Sequence, residues 1–273
     1  MQASPPKLTD ERPLVLAQLA RAHWGLITDT QPQLALSLVA PVYDEELNLR
    51  ALHESVVKVF GERDDWELIL VDDGSKDGSA KLIHELSGED PRVVGVFFAK
   101  NCGQTAAMGS GIQLARGRLI ATLDADLQND PADIPKLVDA LKDNHAAVGY
   151  RQKRNDNLVR RISSRVANRI RNWISKDSII DTGCSLKVFR AEAIQSIPLF
   201  EGLHRFFPTL LRYHGYEVVE VPVSHHPRVA GVSKYGVLNR GLRAFKDLLA
   251  VRWMRGRMIR VSIREISGRD DLP

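Results

Sequence analysis

Cysteine is scarce in this chain: two residues among 273, Cys102 and Cys184. That excludes a disulfide scaffold and fits a reduced cytosol, where both read as plain loop or buried thiols. Long apolar runs are missing too. The longest, such as residues 93–99, fall far short of the ~20 residues of a membrane span. Residues 1–12 hold no apolar stretch of the secretory-signal kind, so a cytoplasmic chain is expected. Glycine and proline, at 19 and 13 residues, are too few for collagen or a low-complexity linker. What is present is 44% hydrophobic and 26% charged, enough for one large domain with a sizeable core.

The formal charge of +4 hides an uneven division. Residues 151–178 carry nine basic side chains against Asp156 and Asp177, a local +7, and residues 234–264 carry nine against Asp247, a local +8. The remainder therefore holds −11, an acidic body with two basic segments in its second half. Such asymmetry points to a polyanionic partner: nucleic acid, a membrane surface or a phosphorylated substrate.

Residues 1–32 begin polar and then show a short helical pattern, read as a leader or capping segment. From residue 34, strands at 34–41, 66–71, 92–99, 117–123 and 146–150 alternate with helices at 48–60, 80–86, 105–115 and 131–143. Near-continuous apolar strands between helices predict an α/β fold with a parallel sheet covered on both faces. After residue 150 the alternation lapses. A basic helix (158–173), a turn at 181–183, a strand (186–189), a helix (206–213), a strand (217–223) and one or two basic amphipathic helices (237–258) follow. The simplest division is a main domain over 33–235 and a basic amphipathic segment over 236–273.

Ligands of α/β sheets gather at the carboxyl ends of the strands, where this sequence concentrates its acids. The first strand runs into Pro41-Val-Tyr-Asp-Glu-Glu46, the second into Val71-Asp-Asp-Gly-Ser75 and the fourth into Leu123-Asp-Ala-Asp-Leu-Gln128. Single acids such as Asp77 and Asp130 read as helix caps or turn formers, but three clusters exceed what folding needs. Asp124 and Asp126, two apart, face one side in extended backbone, and Gln128 joins them if the extension persists. Close carboxylates repel, and a divalent cation relieves the repulsion. Hard oxygen donors favour Mg²⁺ or Mn²⁺, which complete their shells with substrate phosphates.

These segments occur in order with Asn101-Cys-Gly-Gln-Thr105, Asp181-Thr-Gly-Cys184, His204-Arg-Phe206 and Arg228-Val-Ala-Gly-Val-Ser-Lys-Tyr235. Together, over roughly residues 34–245, they resemble family 2 glycosyltransferases of the dolichol-phosphate mannose synthase and polyprenyl-phosphate glycosyltransferase type. The resemblance implies a GT-A fold, a Rossmann-like nucleotide-binding sheet, and inversion at the anomeric carbon. It gives Pro41, Tyr43 and Glu45 a role at the nucleotide base, and Val71 and Asp73 one at base or ribose. Asp124, Ala125, Asp126 and Gln128 bind metal and diphosphate, with Asp124, Asp126 and Arg228 as the catalytic set. Arg151, Arg228 and Lys234 match positions that hold donor diphosphate or acceptor phosphate, with Arg205 and Ser233 as neighbours. Asp44 stands where the family usually has Asn.

The implied activity is hexose transfer from a UDP- or GDP-linked sugar to a polyprenyl or dolichyl phosphate. An acceptor phosphate, with a second pKa of about 6, is already largely ionised near neutral pH and needs little help from a general base. No base is evident in the sequence, which disfavours the alternative of a saccharide hydroxyl acceptor. Asp181 is open to two readings, an extra polar group or part of a turn with Thr182 and Gly183. The basic segments are open to two as well. They form a solvated or core-packing helix face, or a surface that docks on anionic lipid, peripherally or through a membrane-protein partner. Nucleic acid is not expected, since the segments form no recognisable binding module and leave the acidic strand ends without a role.

Overall fold

The computed structural model describes residues 34–151, 171–227 and 237–257. The expected leader, nearly all of the basic helix at 158–173, and Arg228, Ser233 and Lys234 lie outside them. Strands β1 (Leu36–Val42), β2 (Trp66–Asp72), β3 (Val93–Phe97), β4 (Leu119–Thr122), β5 (Ala146–Arg151), β6 (Lys187–Arg190) and β7 (Val218–Val223) form one sheet. Their order is β3-β2-β1-β4-β6-β5-β7. Helices α1 (Glu46–Phe60), α2 (Ser79–Glu89), α3 (Gln104–Leu114), α4 (Ile134–Leu141), α5 (Ala191–Gln195), α6 (Phe207–Tyr213) and α7 (Val237–Arg257) accompany them.

The apolar strands are buried on both faces, as their composition requires. Leu38, Ala40, Leu68 and Leu70 turn to one core with Leu49 and Leu52 of α1 and Ile83 and Leu86 of α2. Val39, Ile69 and Val71 turn to a second core with Met108 and Ile112 of α3, Phe207 of α6 and Val251 of α7. This alternation within continuous apolar runs is the period-2 geometry of a strand covered on two sides.

One expectation is corrected. The sheet is mixed, not wholly parallel: β6 runs antiparallel to both β4 and β5, while the other pairings are parallel. A strand buried on both faces has the same apolar pattern in either direction, so the sequence carried no sign of the reversal. The inserted strand positions the site. Lys187 at its start lies opposite Thr122 of β4 and Val148 of β5, which draws residues 181–186 alongside the ends of those strands.

Smaller differences are local. The helix expected over 131–143 is a 3-10 turn, Pro131–Asp133, leading into α4 and ending where Lys142 takes a φ of 41°. Asp130 caps that turn by accepting from the Ala132 amide at 2.9 Å. Helix α5 spans five residues, too short to show a period. Helix α7 is continuous over 21 residues.

Candidate active site

The loops after β1 and β2 are stapled to each other. Asp44 adopts a φ of 51°, in the left-handed region where Asn and Asp are enriched. Its amide donates to Ser75 Oγ at 2.9 Å, and its carboxylate accepts from the Lys76 amide at 2.6 Å. The Glu45 amide donates to Ser79 Oγ, and Glu45 accepts from Asn48 Nδ2. Glu46 accepts from the Gly78 amide and donates its own to Asp77, whose carboxylate also accepts from the Ser79 amide. Asp77 is thus the turn former expected of it.

Asp73 ties in a third loop. Its buried carboxylate accepts from the Cys102 amide at 2.6 Å, the Gly103 amide at 2.9 Å and Asn101 Nδ2 at 3.0 Å. Burial raises its pKa, the two backbone donors oppose the rise, and Asp72 adds to it. Gly74, at φ 70°, lets this loop approach: a Cβ there would lie 2.7 Å from the Asn101 nitrogen. Around these carboxylates Pro41, Tyr43 and Glu45 are half-buried. Val71 is wholly buried in the second core.

The loop after β4 is built differently. The chain leaves the strand at once and turns, with Leu127 at φ 60°, so the extension that would have aligned Gln128 does not persist. Instead the Gln128 amide donates to Asp126 Oδ1 at 3.1 Å and its carbonyl accepts from the His226 amide. Asp126 and Ala125 are buried. Asp124 is half-buried and accepts from Gln104 Nε2, at the start of α3, at 2.9 Å. The loop is clamped from below: Asn129 Nδ2 donates to Ser185 Oγ and Thr122 Oγ1 to the Ser185 carbonyl, both at 2.7 Å.

Cations meet this loop. Arg151, at the end of β5, forms a two-pronged pair with Asp181, Nε at 2.7 Å and Nη2 at 2.9 Å. Burial works against the Arg151 charge, but Asp181, then Cys184 and Asp124, more than offset it and raise its pKa. Both readings of Asp181 hold, because it also accepts from the Gly183 amide in a turn. Lys187, missed from the sequence, is buried and donates Nζ to the Cys184 carbonyl. Burial lowers its pKa while Cys184, Asp124 and Asp181 hold it up. Its signal was available: a lysine within the apolar run Leu186–Phe189. Arg205 sits in the 3-10 turn Leu203–Arg205. There His204 Nδ1 lies 2.7 Å from Thr105 Oγ1, and burial, with the Arg205 and Lys187 charges, pushes the His204 pKa down to about 3.

Among the described residues no three His, Cys, Asp or Glu side chains come together as a metal cage. The expected donors are the carboxylates of Asp124 and Asp126, the extension that would have aligned Gln128 being lost, and such a pair does not fit a closed site. It fits Mg²⁺ or Mn²⁺, which keep positions for phosphate oxygens and water.

Related proteins agree with this architecture. The chain is 42% identical over 232 residues to the dodecaprenyl-phosphate galacturonate synthase of Rhizobium johnstonii, covering 82% of this chain and 68% of the relative. It is 37% identical over 207 residues to an undecaprenyl-phosphate 4-deoxy-4-formamido-L-arabinose transferase of Aeromonas hydrophila, covering 75% and 64%. The chain thus spans about two thirds of the length of these relatives. Among solved structures, glucosyl-3-phosphoglycerate synthase of Mycobacterium tuberculosis, with Mn²⁺, uridine diphosphate and phosphoglyceric acid, superposes with a TM-score of 0.62 at 17% identity, covering 88% and 82%. A mannosyltransferase of Pyrobaculum calidifontis, with GDP-mannose and Mn²⁺, gives 0.58 at 18% identity, covering 90% and 73%. These likenesses identify the fold as GT-A. Residues 37–197 match the family described as Glycosyl transferase family 2, and the chain belongs to that family.

Proposed function

We propose that this glycosyltransferase moves a hexose from a UDP- or GDP-linked donor to a polyprenyl or dolichyl phosphate at the cytoplasmic face of a membrane, with inversion. The observation that carries the reading is the β4 loop, where Asp124 lies within the fields of Arg151 and Lys187, both of which also interact with Asp181. The lipid phosphate acceptors in the relatives' names support the acceptor class. In this reading Pro41, Tyr43, Glu45, Val71 and Asp73 receive the nucleoside. Asp124, Asp126 and Gln128 would hold Mg²⁺ or Mn²⁺, which when bound neutralises charge building on the diphosphate leaving group. Arg151 faces the same charge from the protein side, with Arg228 and Lys234 as further phosphate ligands and Arg205 and Ser233 beside the acceptor phosphate. Burial keeps His204 neutral, so it adds no competing positive charge.

The acceptor would arrive from a membrane surface. Helix α7 has two apolar faces: Leu248 and Val251 are buried, whereas Phe245, Leu249 and Trp253, four residues apart, are exposed. Cations lie along the same helix. Arg255 lies over the Tyr213 ring and Arg257 over the Trp253 ring, and Arg252 donates to the Ile174 carbonyl, next to exposed Trp173. Exposed tryptophans among arginines suit an interfacial helix on anionic lipid. Among the described residues no helix is long and apolar enough to cross a membrane.

The deciding experiment incubates the protein with radiolabelled UDP- and GDP-sugars, Mn²⁺ and a short-chain polyprenyl phosphate, and counts label in the organic phase. Label there, dependent on divalent metal, is expected. Label only on an added saccharide would favour the hydroxyl-acceptor reading. For the membrane surface, neutralising Arg252, Arg255 and Arg257 together should weaken binding to phosphatidylserine vesicles by on the order of 100-fold, at about 1 kcal/mol per charge. Unchanged flotation would remove that part of the proposal.

A further inference from the structure

A lysine in the interior of a sheet is costly, and Lys187 is 3% exposed. Its neighbours explain why such a residue is tolerated where it is. In the antiparallel β4–β6 pair it stands directly opposite Thr122, and opposed residues project to the same face. That face belongs to the second core, which takes Ile120 from β4 and Phe189 from β6. The strand β4 ends at Thr122, and Asp124 follows two residues on. On the other flank Lys187 opposes Val148, three residues before Arg151. Its Nζ donates to the Cys184 carbonyl, and the carboxylates of Asp124 and Asp181 act on it through space.

We propose that Lys187 is a positioning residue, a fixed buried cation beneath Asp124 and the Arg151–Asp181 pair that balances these carboxylates and gives the donor diphosphate a positive floor. A purely structural lysine would do no more than satisfy the Cys184 carbonyl and carry its stem through the core. The two roles differ in sign. A buried positive charge repels a divalent cation and attracts a diphosphate. Removing it while keeping the side-chain shape should therefore tighten the one and loosen the other, whereas a distorted site loosens both. The proposal rests on the donor-site reading above, and its test separates the two.

The test compares wild type with Lys187→Met and Lys187→Arg. Mn²⁺ alone is titrated by electron paramagnetic resonance, and UDP and GDP, each without metal, by calorimetry. In the Met variant Mn²⁺ should bind more tightly and the nucleotide more weakly, each by on the order of tenfold, the effect of one unit charge at close range in a partly screened site. The Arg variant should stay within about twofold of wild type on both. Shifts in the same direction, or no shift in a folded Met variant, would overturn the proposal. If wild type binds neither Mn²⁺ nor either nucleotide, the donor-site reading falls first and takes the proposal with it.

A measurement on wild type keeps the proposal exposed should the Met variant not fold. With lysines labelled at Cε and the Lys187 resonance assigned by its loss in Lys187→Arg, sub-stoichiometric Mn²⁺ should broaden that signal ahead of those of surface lysines. A Lys187 signal untouched by Mn²⁺ that binds elsewhere on the spectrum would place the ammonium away from the metal and refute the assignment.

Discussion

The carboxylates after β1 and β2 and those after β4 lie at one edge of one sheet, yet they have different neighbours. Asp44, Glu46, Asp73 and Asp77 accept from backbone amides of facing loops. Those bonds hold the loops after β1, β2 and β3 to one another. After β4, Asp126 accepts from an amide of its own loop, whereas Asp124 accepts from a glutamine side chain and lies within the fields of Arg151 and Lys187. An amide that donates to a carboxylate fixes a loop. A buried cation near one prepares a place where charge will change when a ligand arrives. The same residue type thus ties loops together in one region and, on the proposed reading, is electrostatic machinery in the other.

The largest expected effect tests that division directly. Asp124→Asn or Asp126→Asn should lower transfer by on the order of 1000-fold, the several kcal/mol that metal-assisted charge stabilisation supplies. The melting temperature should stay within about 3 °C, less than about 1 kcal/mol of stability. Full activity of either variant without divalent metal would end the metal role. Asp73→Asn should divide the other way. Its new amide group would face the donors of Asn101, Cys102 and Gly103, leaving buried N–H groups unsatisfied at a cost of about 2–3 kcal/mol. Thermal unfolding should then fall by roughly 5–10 °C. If the Asp73 variant melts like wild type, the loop-stapling account is wrong, whatever happens to its activity.

His204 sharpens the comparison from the cation-rich side. Its folded pKa of about 3 lies below the ordinary 6.5, so the unfolded chain binds a proton that the folded protein resists. The resulting stability is complete above pH 6.5 and is lost progressively as the pH falls toward 3. At pH 5 the loss is about 2 kcal/mol. Urea unfolding at pH 7 and pH 5 should show that drop in wild type and not in His204→Gln. Equal drops in both would mean that another group carries the acid sensitivity.

How much of this was legible beforehand follows the same line. Alternating apolar runs located the strands because burial on two faces leaves a compositional mark, and the acids at their ends marked loops that meet one another in the fold. Strand direction left no such mark, so the reversal of β6 was hidden. With it went the partners that β6 and the turn before it bring together: Lys187 opposite Thr122, and Ser185 against Asn129. Asp181 carried an ambiguous signal because one carboxylate serves both the turn and the pairing with Arg151, 30 residues away, its Oδ1 accepting from the Gly183 amide and from Arg151 Nη2. Helix α7 showed its amphipathicity in sequence but not that it has two apolar faces. A helical pattern counts apolar positions without saying which ones a neighbouring core will cover.

The smallest expected effect is at Asp44. The backbone there is left-handed, at φ 51°, a conformation that costs most L-residues about 1–2 kcal/mol and that Asn and Asp adopt most readily. The side chain's task is to accept from the Lys76 amide, which an amide oxygen performs as well as a carboxylate. Asp44→Asn should therefore change stability by less than about 0.5 kcal/mol and leave transfer intact. Asp44→Val, which loses the acceptor and forces a β-branched residue into the same backbone, should cost at least about 1–2 kcal/mol. Calorimetric melting of the pair reads the difference. A large loss in Asp44→Asn would show that the charge itself matters, making this loop electrostatic machinery like the one after β4 and erasing the distinction between the two regions.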